Sequence, residues 1–122
     1  MRIIAGSLKN RQIFSPKGLQ TRPTLEKVRE SVFNRCLHLI ENANFLDLFA
    51  GSGAMGLEAL SRGASKAVFV EKNRDAVKSI LQNVQQFALT SQTLLYREDV
   101  LKVLEKLAGE SQFFKPKQLP SL

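Results

Sequence analysis

Three glycines within six residues make 51–56 the segment of this sequence best suited to holding a ligand. The segment reads Gly51-Ser52-Gly53-Ala54-Met55-Gly56, a G-x-G-x-x-G pattern, and the acidic Glu71 follows twenty residues after Gly51. Glycines let the backbone turn tightly and approach a ligand, and a carboxylate at that spacing can accept hydrogen bonds from two ribose hydroxyls. Placed between a strand and a helix, rather than in a flexible loop, the pattern predicts a site for an adenosine-containing cofactor.

Asp47, four residues before Gly51, bears on which adenosine cofactor that is. A carboxylate at this point would repel the pyrophosphate of a nicotinamide dinucleotide. S-adenosylmethionine has no phosphate and carries an ammonium and a sulfonium, both of which a carboxylate attracts. Asp47 therefore favours S-adenosylmethionine. A local interpretation is equally good and compatible with the same cofactor, namely that the carboxylate accepts hydrogen bonds from amides of the glycine segment.

Asp99 is a third acidic candidate, because it follows another predicted strand. Its side chain can accept a hydrogen bond from an adenine amino group, or it can cap the helix that follows, and the sequence supports both interpretations equally. The single histidine, His38, is predicted at the surface and the single cysteine, Cys36, in the core. Neither belongs to a recognisable set of nucleophile, base and orienting residue, and the sequence predicts no metal site.

The elements that position these residues are short apolar segments alternating with amphipathic helices. Strands are predicted at 44–49, 66–71 and 93–96, and helices at 24–40, at 54–62 with Gly63 just past its end, and after the capping residues Asn73 and Asp99, the last ending at Gly109. Strand and helix alternate three times, which is typical of a parallel sheet with right-handed crossovers. The prediction is an α/β, Rossmann-like fold in its first half only, with three parallel strands in the order 3-2-1, of which the first two are predicted to be buried, the first of them on both faces.

The spacing of apolar residues predicts which side chains the helices bury. The predicted inward residues are Leu25, Val28, Val32, Phe33, Cys36, Leu37, Leu39 and Ile40 in the first helix, Val77, Ile80, Leu81, Val84 and Phe87 after Asn73, and Val100, Val103, Leu104 and Leu107 in the last helix.

The N-terminal part of the chain is strongly basic. Residues 1–40 contain eight Lys and Arg residues and two Glu residues, which gives +6 of the formal net charge of +7. Ile3-Ile4 and Ile13-Phe14 flank a polar centre, so residues 1–20 are predicted to form a basic β-hairpin, ahead of a cofactor-binding domain at 21–110 and a tail at 111–122 that is disordered or foreign to the family. The charge predicts a nucleic-acid partner through Coulomb attraction and counterion release, although a solubilising surface explains charge alone equally well.

Several classes of protein are disfavoured by the sequence. No apolar run approaches the roughly 20 residues of a membrane helix, and the apolar stretch at the N-terminus is too short for a signal peptide. One cysteine cannot form an internal disulfide, which agrees with a reducing compartment. The sequence therefore predicts a cytoplasmic protein without membrane partners.

Two groups of residues resemble one known family. Asp47-Leu48-Phe49-Ala50-Gly51-Ser52-Gly53, followed by Gly56-Leu57-Glu58-Ala59-Leu60-Ser61-Arg62-Gly63-Ala64, is similar to the cofactor loop and next helix of the bacterial small-subunit rRNA guanine-N2 methyltransferases, the RsmD family. Also similar are Met1-Arg2-Ile3-Ile4-Ala5-Gly6, Thr21-Arg22-Pro23-Thr24 and Val28-Arg29-Glu30-Ser31-Val32-Phe33-Asn34. Many methyltransferases share the loop, but its combination with Arg-Pro-Thr and Val-Arg-Glu is much more specific. The resemblance covers about residues 1–110.

The resemblance implies transfer of a methyl group from S-adenosylmethionine to the exocyclic N2 amine of a guanine in small-subunit rRNA, free or in an assembling small ribosomal subunit. It implies that Asp47, Phe49, Gly51 and Gly53 line the methionine side of the cofactor, that Glu71 holds the ribose and that Asp99 meets the adenine edge, with Ser52, Lys72 and Val100 alongside. It also implies contacts with RNA phosphates for five basic residues, Arg2, Lys9, Arg11, Arg22 and Arg29.

One departure from the family concerns catalysis. The family has an Asn or Asp followed by Pro-Pro and an aromatic residue after its fourth strand, whereas the prolines of this chain, Pro16, Pro23, Pro116 and Pro120, are nowhere adjacent. Acceptors in that segment aim the lone pair of a weakly nucleophilic amine, so its absence predicts slow or absent methyl transfer, and no catalytic residue is nominated. A missing fourth strand would also leave the edge of the first strand open to dimerisation. A shortened chain, a frameshifted gene product and a partner chain that completes the sheet are all compatible with the sequence.

Three other functions stay open at this point. The same glycine segment allows a methyltransferase that acts on the N6 amine of adenine in DNA. It also allows a fragment of a nicotinamide-dependent oxidoreductase, against which Asp47 weighs. The third is a basic RNA-binding module that performs no catalysis.

Overall fold

The three apolar segments form a parallel sheet with helices between the strands. The computed structural model describes residues 1–16, 23–48 and 50–110. In chain order the elements are α1 (Pro23–Arg35), α2 (Leu37–Ile40), β1 (Asn44–Asp47), α3 (Ala54–Ser61), β2 (Lys66–Val70), α4 (Arg74–Gln86), a 3₁₀ turn (Thr90–Gln92), β3 (Thr93–Tyr96) and α5 (Val100–Glu110).

All three strands run parallel in the order β1-β2-β3, which confirms the predicted order 3-2-1. Phe45 pairs with Ala67 across the first ladder, and Val68 pairs with Leu94 across the second. β1 is an edge strand in the described part of the chain, and burial of this strand on both faces was a wrong prediction, because the side chain of Leu46 is 41% exposed. With a neighbouring strand on one side only, β1 is less well shielded than β2.

The core lies between the sheet and α3, and the third glycine of the pattern makes that contact possible. Leu57 and Ala59 of α3 and Phe69 of β2 are fully buried. A Cβ atom on Gly56 would lie 2.3 Å from Cε1 of the Phe69 ring, far inside van der Waals contact. Gly56 is therefore required for the close packing of α3 on β2.

The buried face of α1 differs from the prediction. Val28, Val32, Leu37 and Leu39 are exposed, and Arg29 is buried in their place. The predicted burial of Phe33 and Ile40 is confirmed. The helix also ends at Arg35 and restarts at Leu37, so residues 24–40 are not one continuous helix. The physical reason is an ion pair: the side chain of Arg29 turns inward to the buried Glu58, and this rotates α1 away from the apolar face read from the sequence.

The later helices match the prediction more closely. Asn73 caps α4 by accepting a hydrogen bond from the Ala76 amide at 3.0 Å, and Val77, Ile80, Val84 and Phe87 are buried as predicted. Leu81 is partly exposed, and the fully buried polar residue Asn83 lies on the inward face instead. In α5, Val103 is buried and Leu104 is exposed; the side chain of Leu107 lies outside the description.

Residues 1–16 form an N-terminal arm that packs on α3 and α4. Its two halves run antiparallel, with a bridge between Arg2 and Gln12 and hydrogen bonds from the Ile3 amide to the Arg11 carbonyl (3.0 Å) and from the Ile13 amide to the Met1 carbonyl (2.8 Å). The predicted antiparallel turn is therefore present, but as an isolated bridge instead of two strands, because several backbone groups of the arm bond to side chains of α3 and α4, among them the amides of Ile4, Ala5 and Phe14. The division of the chain at residues 20 and 110 stays a prediction.

Within residues 1–16, 23–48 and 50–110, no helix is both long enough and apolar enough to cross a bilayer.

Candidate functional site

A cleft of about 340 Å³ lies where the strands end at their carboxyl edge. Its walls are formed by Leu48 just after β1, by the end of β2 and the two residues after it (70–72), and by the residues before α5 together with the start of that helix (98–101). Open parallel sheets bind ligands at this edge, because the loops after neighbouring strands meet there. Four predicted cofactor residues line the cleft: Glu71, Lys72, Asp99 and Val100.

The glycine bend, residues 50–53, lies after β1 beside this cleft. Gly51 and Gly53 both have positive φ angles, 54° and 83°, and the Gly53 amide donates to the Ala50 carbonyl at 2.7 Å. Glu71 holds the bend from the next strand, since its Oε1 accepts a hydrogen bond from the Gly51 amide at 2.9 Å. The pairing of the glycine segment with the acid twenty residues later is thus a direct contact.

Glu71 is held on both sides. Its second oxygen, Oε2, accepts from the Asn73 amide at 2.9 Å, and the residue is only partly buried. Each carboxylate oxygen has two lone pairs, so both oxygens keep capacity for a further donor. The carboxylate is therefore fixed in orientation and still able to accept hydrogen bonds from a ligand in the cleft.

Asp47 is a buried carboxylate at the end of β1. Its side chain is 8% exposed, and Oδ2 accepts a hydrogen bond from the Gly56 amide at 3.2 Å. Burial is the main cause that raises the pKa of Asp47 to about 6; the Glu71 carboxylate raises the pKa further, and the Gly56 amide lowers it. Among the described residues no cation pairs with it. A buried acid that has a perturbed pKa and no cationic partner is typical of a ligand site.

The geometry tests one of the two interpretations of Asp47. Its local role is confirmed, because one oxygen fixes an amide of the glycine segment. The other oxygen, Oδ1, is in no hydrogen bond found within the described chain, and whether it meets a ligand cation stays a prediction.

Asp99 caps α5 and lines the cleft at the same time. Its Oδ1 accepts from the Leu101 amide at 2.8 Å, which confirms the capping interpretation. The neighbouring Glu98 pairs with Lys106 at 2.7 Å at the rim of the cleft. Whether Asp99 also meets an adenine edge stays a prediction.

Ser52 is buried beneath the arm, and its hydroxyl donates to the Met1 sulfur at 3.6 Å. Phe49 lies outside the described residues. The structure therefore brings together Asp47, Gly51, Gly53 and Glu71 around the bend, and Glu71, Lys72, Asp99 and Val100 around the cleft.

The predicted RNA contacts are distributed unevenly. Arg2, Lys9 and Arg11 are exposed on the arm, and the Arg11 guanidinium lies 5.1 Å from the centre of the Phe87 ring. Arg22 lies outside the described residues. The prediction for Arg29 is wrong, because its side chain is only 3% exposed and pairs with Glu58 at 3.3 Å instead of facing solvent.

Glu58 is a structural residue that the sequence analysis missed. It is fully buried in α3, accepts the Ile4 and Ala5 amides at 2.9 and 3.1 Å, and pairs with Arg29 and Arg62. Burial lowers the pKa of Arg29, and the Glu58 carboxylate opposes this shift. The only sequence signal was Arg62 four residues later, which is a common surface spacing.

Asn83 is the second residue that was missed. It is fully buried on α4, three residues after Ile80 and four before Phe87, so helical periodicity did place it on the inward face. Its amide binds both the arm and the glycine bend. The sequence signal that could have identified Asn83 is a polar residue among the apolar residues of the inward face of α4.

Comparison with known proteins identifies the relatives of this fold and site. The model of the family described as Conserved hypothetical protein 95 matches residues 1–115. The chain belongs to this family. Membership confirms the resemblance to the RsmD family drawn from the glycine segment and the N-terminal residues.

Curated relatives of this family member are longer than the chain. YlbH of Bacillus subtilis (strain 168) is 39% identical over 115 residues, which are 94% of this chain and 62% of that protein. Ribosomal RNA small subunit methyltransferase D of Escherichia coli (strain K12) is 43% identical over 84 residues, 69% of this chain and 42% of that protein. The chain thus spans about half the length of the curated relatives it matches.

A solved structure supports the fold assignment. The protein yhhF from Escherichia coli superposes with a TM-score of 0.77 and 38% sequence identity over 85% of this chain and 56% of that chain. The Rossmann-like methyltransferase fold predicted from the sequence is confirmed, with three parallel strands and their flanking helices.

Proposed function

We propose that this chain is the cofactor-binding part of an S-adenosylmethionine-dependent methyltransferase that acts on small-subunit rRNA. The observation that carries the proposal is the buried, unpaired Asp47 carboxylate beside a glycine bend that Glu71 holds from the next strand. Family membership and the name of the Escherichia coli relative support the same reaction class and substrate.

The residues present fit this cofactor. Glu71 is oriented to accept the two ribose hydroxyls, and the apolar side chains of Val70, Val100 and Leu101 suit the faces of an adenine ring. Asp99 lies in the same cleft for the adenine amino group. Asp47 offers the charge that an amino-acid ammonium requires, and we propose that the backbone of Gly51, Ser52 and Gly53 lies against that portion of the molecule. Lys72 lies at the cleft beside Glu71.

The chemistry that the bound cofactor supplies is an electrophilic methyl group on a sulfonium. The role of the protein is to orient that methyl group and to exclude water. We assign the acceptor as the exocyclic N2 amine of a guanine, following the family resemblance. Because the 122 residues contain no Asn or Asp followed by Pro-Pro and an aromatic residue, we propose that they bind the cofactor but transfer the methyl group slowly or not at all by themselves.

Calorimetric titration tests the cofactor assignment directly. The chain should bind S-adenosylmethionine and S-adenosylhomocysteine, and Glu71→Gln should weaken both by roughly tenfold or more, because a charged acceptor for the ribose is lost. Asp75→Asn, which removes an exposed acid four residues away, is the matched control and should leave both affinities unchanged. Binding of NADH with no binding of either sulfur compound would identify the oxidoreductase alternative instead.

A second measurement tests the acceptor. Because slow or absent transfer is expected from the chain by itself, the chain and a full-length relative are each incubated with radiolabelled S-adenosylmethionine and either deproteinised small-subunit rRNA or duplex DNA, and the nucleosides are then separated. Label in N2-methylguanosine supports the assigned acceptor, whereas label in N6-methyladenine of DNA would overturn it. RNA binding with no cofactor binding would favour the non-catalytic RNA-binding module.

A further inference from the structure

Asn83 connects the N-terminal arm to the glycine bend. The residue is fully buried on α4 and makes four hydrogen bonds with its side-chain amide. Its Oδ1 accepts from the Phe14 amide at 2.7 Å and from Nε2 of Gln86 at 2.9 Å. Its Nδ2 donates to the Phe14 carbonyl at 2.9 Å and to the Ser52 carbonyl at 3.1 Å. Every donor and acceptor site of this amide is occupied.

At the glycine bend, Asn83 holds the residue between the two glycines. Ser52 lies between Gly51 and Gly53, whose positive φ angles define the bend. Glu71 binds the Gly51 amide from the loop after β2, and Asn83 binds the Ser52 carbonyl from α4. The bend is therefore held by side chains from two separate elements, and only one of these lies in the cofactor cleft.

On the arm, Asn83 holds the backbone of Phe14 through both its amide and its carbonyl. Met1, at the start of the arm, also contacts the bend, because the Ser52 hydroxyl donates to its sulfur. The same arm carries the exposed Arg2, Lys9 and Arg11, the last with its guanidinium over the Phe87 ring. The arm is thus tied to the bend and also presents exposed basic side chains that can meet a polyanion.

We infer that Asn83 is a positioning residue through which RNA bound to the arm and cofactor bound at the glycine bend strengthen each other's binding. The inference rests on the proposed function, which places the two ligands at these two surfaces. RNA that holds the arm in its docked position fixes the orientation of the Asn83 amide, and this amide then fixes the Ser52 carbonyl in the conformation that the cofactor needs. Coupling between binding sites is reciprocal, so the cofactor must raise the affinity for RNA by the same factor.

Binding measurements on the wild-type chain provide the first test. The dissociation constant of S-adenosylhomocysteine is measured with and without saturating deproteinised small-subunit rRNA, and that of the rRNA with and without S-adenosylhomocysteine. We expect each ligand to tighten the other by roughly fivefold or more, and by equal factors in the two directions. Binding of both ligands without mutual effect would overturn the inference and leave the proposed function intact. Failure of the chain to bind S-adenosylhomocysteine would overturn both.

Paired variants on α4 provide the second test. Asn83→Ala removes the bridge and should abolish the mutual effect while each ligand still binds. Val84→Ala is the matched control, because Val84 is an equally buried neighbour with no side-chain hydrogen bond to the arm or the bend. It should lower stability and keep the coupling. Coupling of wild-type size in Asn83→Ala would show that another contact carries it.

Hydrogen exchange on the wild-type chain keeps the inference testable if Asn83→Ala does not fold. S-adenosylhomocysteine alone should slow exchange of the Phe14 amide, whose acceptor is Asn83, by roughly fivefold or more. The Ser65 amide is the internal control, since it donates to the Ala43 carbonyl before β2, at the opposite end of the strands from the cleft. Equal exchange of the Phe14 amide with and without the ligand would count against the coupling.

Discussion

Burial of the Asp47 carboxylate lowers the stability of the folded chain, and the same carboxylate is proposed to bind the cofactor. In the unfolded chain an aspartate has a pKa near 3.8, whereas burial raises the pKa of Asp47 to about 6 in the folded chain. Between these two pH values the folded state holds a proton that the unfolded state has lost. Stability therefore falls as the pH rises from about 4 to about 6, and at neutral pH the deficit amounts to about 3 kcal/mol at most.

Asp47→Asn should therefore stabilise the folded chain at neutral pH. The amide keeps an acceptor for the Gly56 backbone and has no charge to bury, so we expect a gain of about 1 to 3 kcal/mol at pH 7.5 and little gain at pH 4. Urea unfolding at the two pH values measures the difference. Asp75→Asn, at an exposed acid, is the control and should show no such dependence. An equal effect of Asp47→Asn at both pH values would contradict the assigned burial cost.

The same titration should appear in cofactor binding. Below about pH 6 the Asp47 carboxyl becomes protonated and loses its attraction for the ligand ammonium, so the affinity for S-adenosylmethionine should fall by up to tenfold for each further pH unit. Adenosine, which lacks the amino-acid portion, is the matched ligand and should bind with little change. Calorimetry between pH 5 and pH 8 gives both profiles; parallel profiles for the two ligands would show that Asp47 does not recognise the ammonium.

At the scale of elements, the contact between the arm and α3 depends on one glycine. Gly6 has φ +89°, and a Cβ atom there would lie 1.9 Å from the Ser61 carbonyl oxygen. Gly63 also has a positive φ, +108°, but a Cβ atom there would meet its nearest atom, Cγ of Glu41, at 3.6 Å. Both positions have a positive φ angle that strains any residue other than glycine. Only at Gly6 would an added Cβ atom also clash with a neighbouring atom.

Alanine substitutions at these two glycines should separate strain from contact. Gly63→Ala should cost about 1 kcal/mol, because only the left-handed backbone is penalised. Gly6→Ala should cost about 3 kcal/mol or displace the tip of the arm, since it also drives a methyl group into a backbone oxygen. Thermal unfolding gives the stabilities, and exchange of the Ser7 amide, which donates to the Ser61 carbonyl, reports on docking. Equal costs at the two positions would show that the arm tip adjusts freely.

The elements also show what the sequence can and cannot predict. Local patterns, namely apolar runs, capping residues and glycines, predict three kinds of feature. These are the strands after Ala43 and Ser65, the cap at Asn73 and the contact between Gly51 and Glu71. The buried face of α1 does not, because Arg29 is drawn inward by Glu58, a residue 29 positions away. Local hydrophobic periodicity contains no information about such a partner. Asn83 was missed for a related reason, since three of its four hydrogen bonds are to backbone groups of the distant residues Phe14 and Ser52.

At the scale of the whole molecule, the positive charge is concentrated in the N-terminal third of the chain. The basic residues there are not equivalent. Arg2, Lys9 and Arg11 face solvent, while Arg29 is buried in an ion pair. Only exposed charges can release counterions from RNA on binding. The footprint on RNA should therefore be smaller than the formal charge of +7 suggests.

The salt dependence of RNA binding tests this distinction. Arg11→Ala should weaken binding to rRNA and reduce the slope of log affinity against log salt by about 1, because one phosphate contact is lost. Arg29→Ala should instead lower stability by about 3 kcal/mol or more, since it leaves Glu58 buried and short of a partner, and it should leave the slope unchanged. Lys102→Ala, at an exposed lysine of α5, is the control for a general loss of charge. An unchanged slope in Arg11→Ala would remove the arm from the RNA surface.

The attachment of the arm also determines when it can fold during synthesis. Its first sixteen residues are translated before any of their partners, and the Phe14 backbone binds Asn83, which is added 69 residues later. At about 5 to 20 residues per second, that interval is roughly 3 to 14 s. During this time the arm cannot complete its native contacts, so the apolar side chains of Ile3 and Ile13, which end up in the core, are not fully covered. The nascent chain therefore exposes apolar surface to which a chaperone can bind.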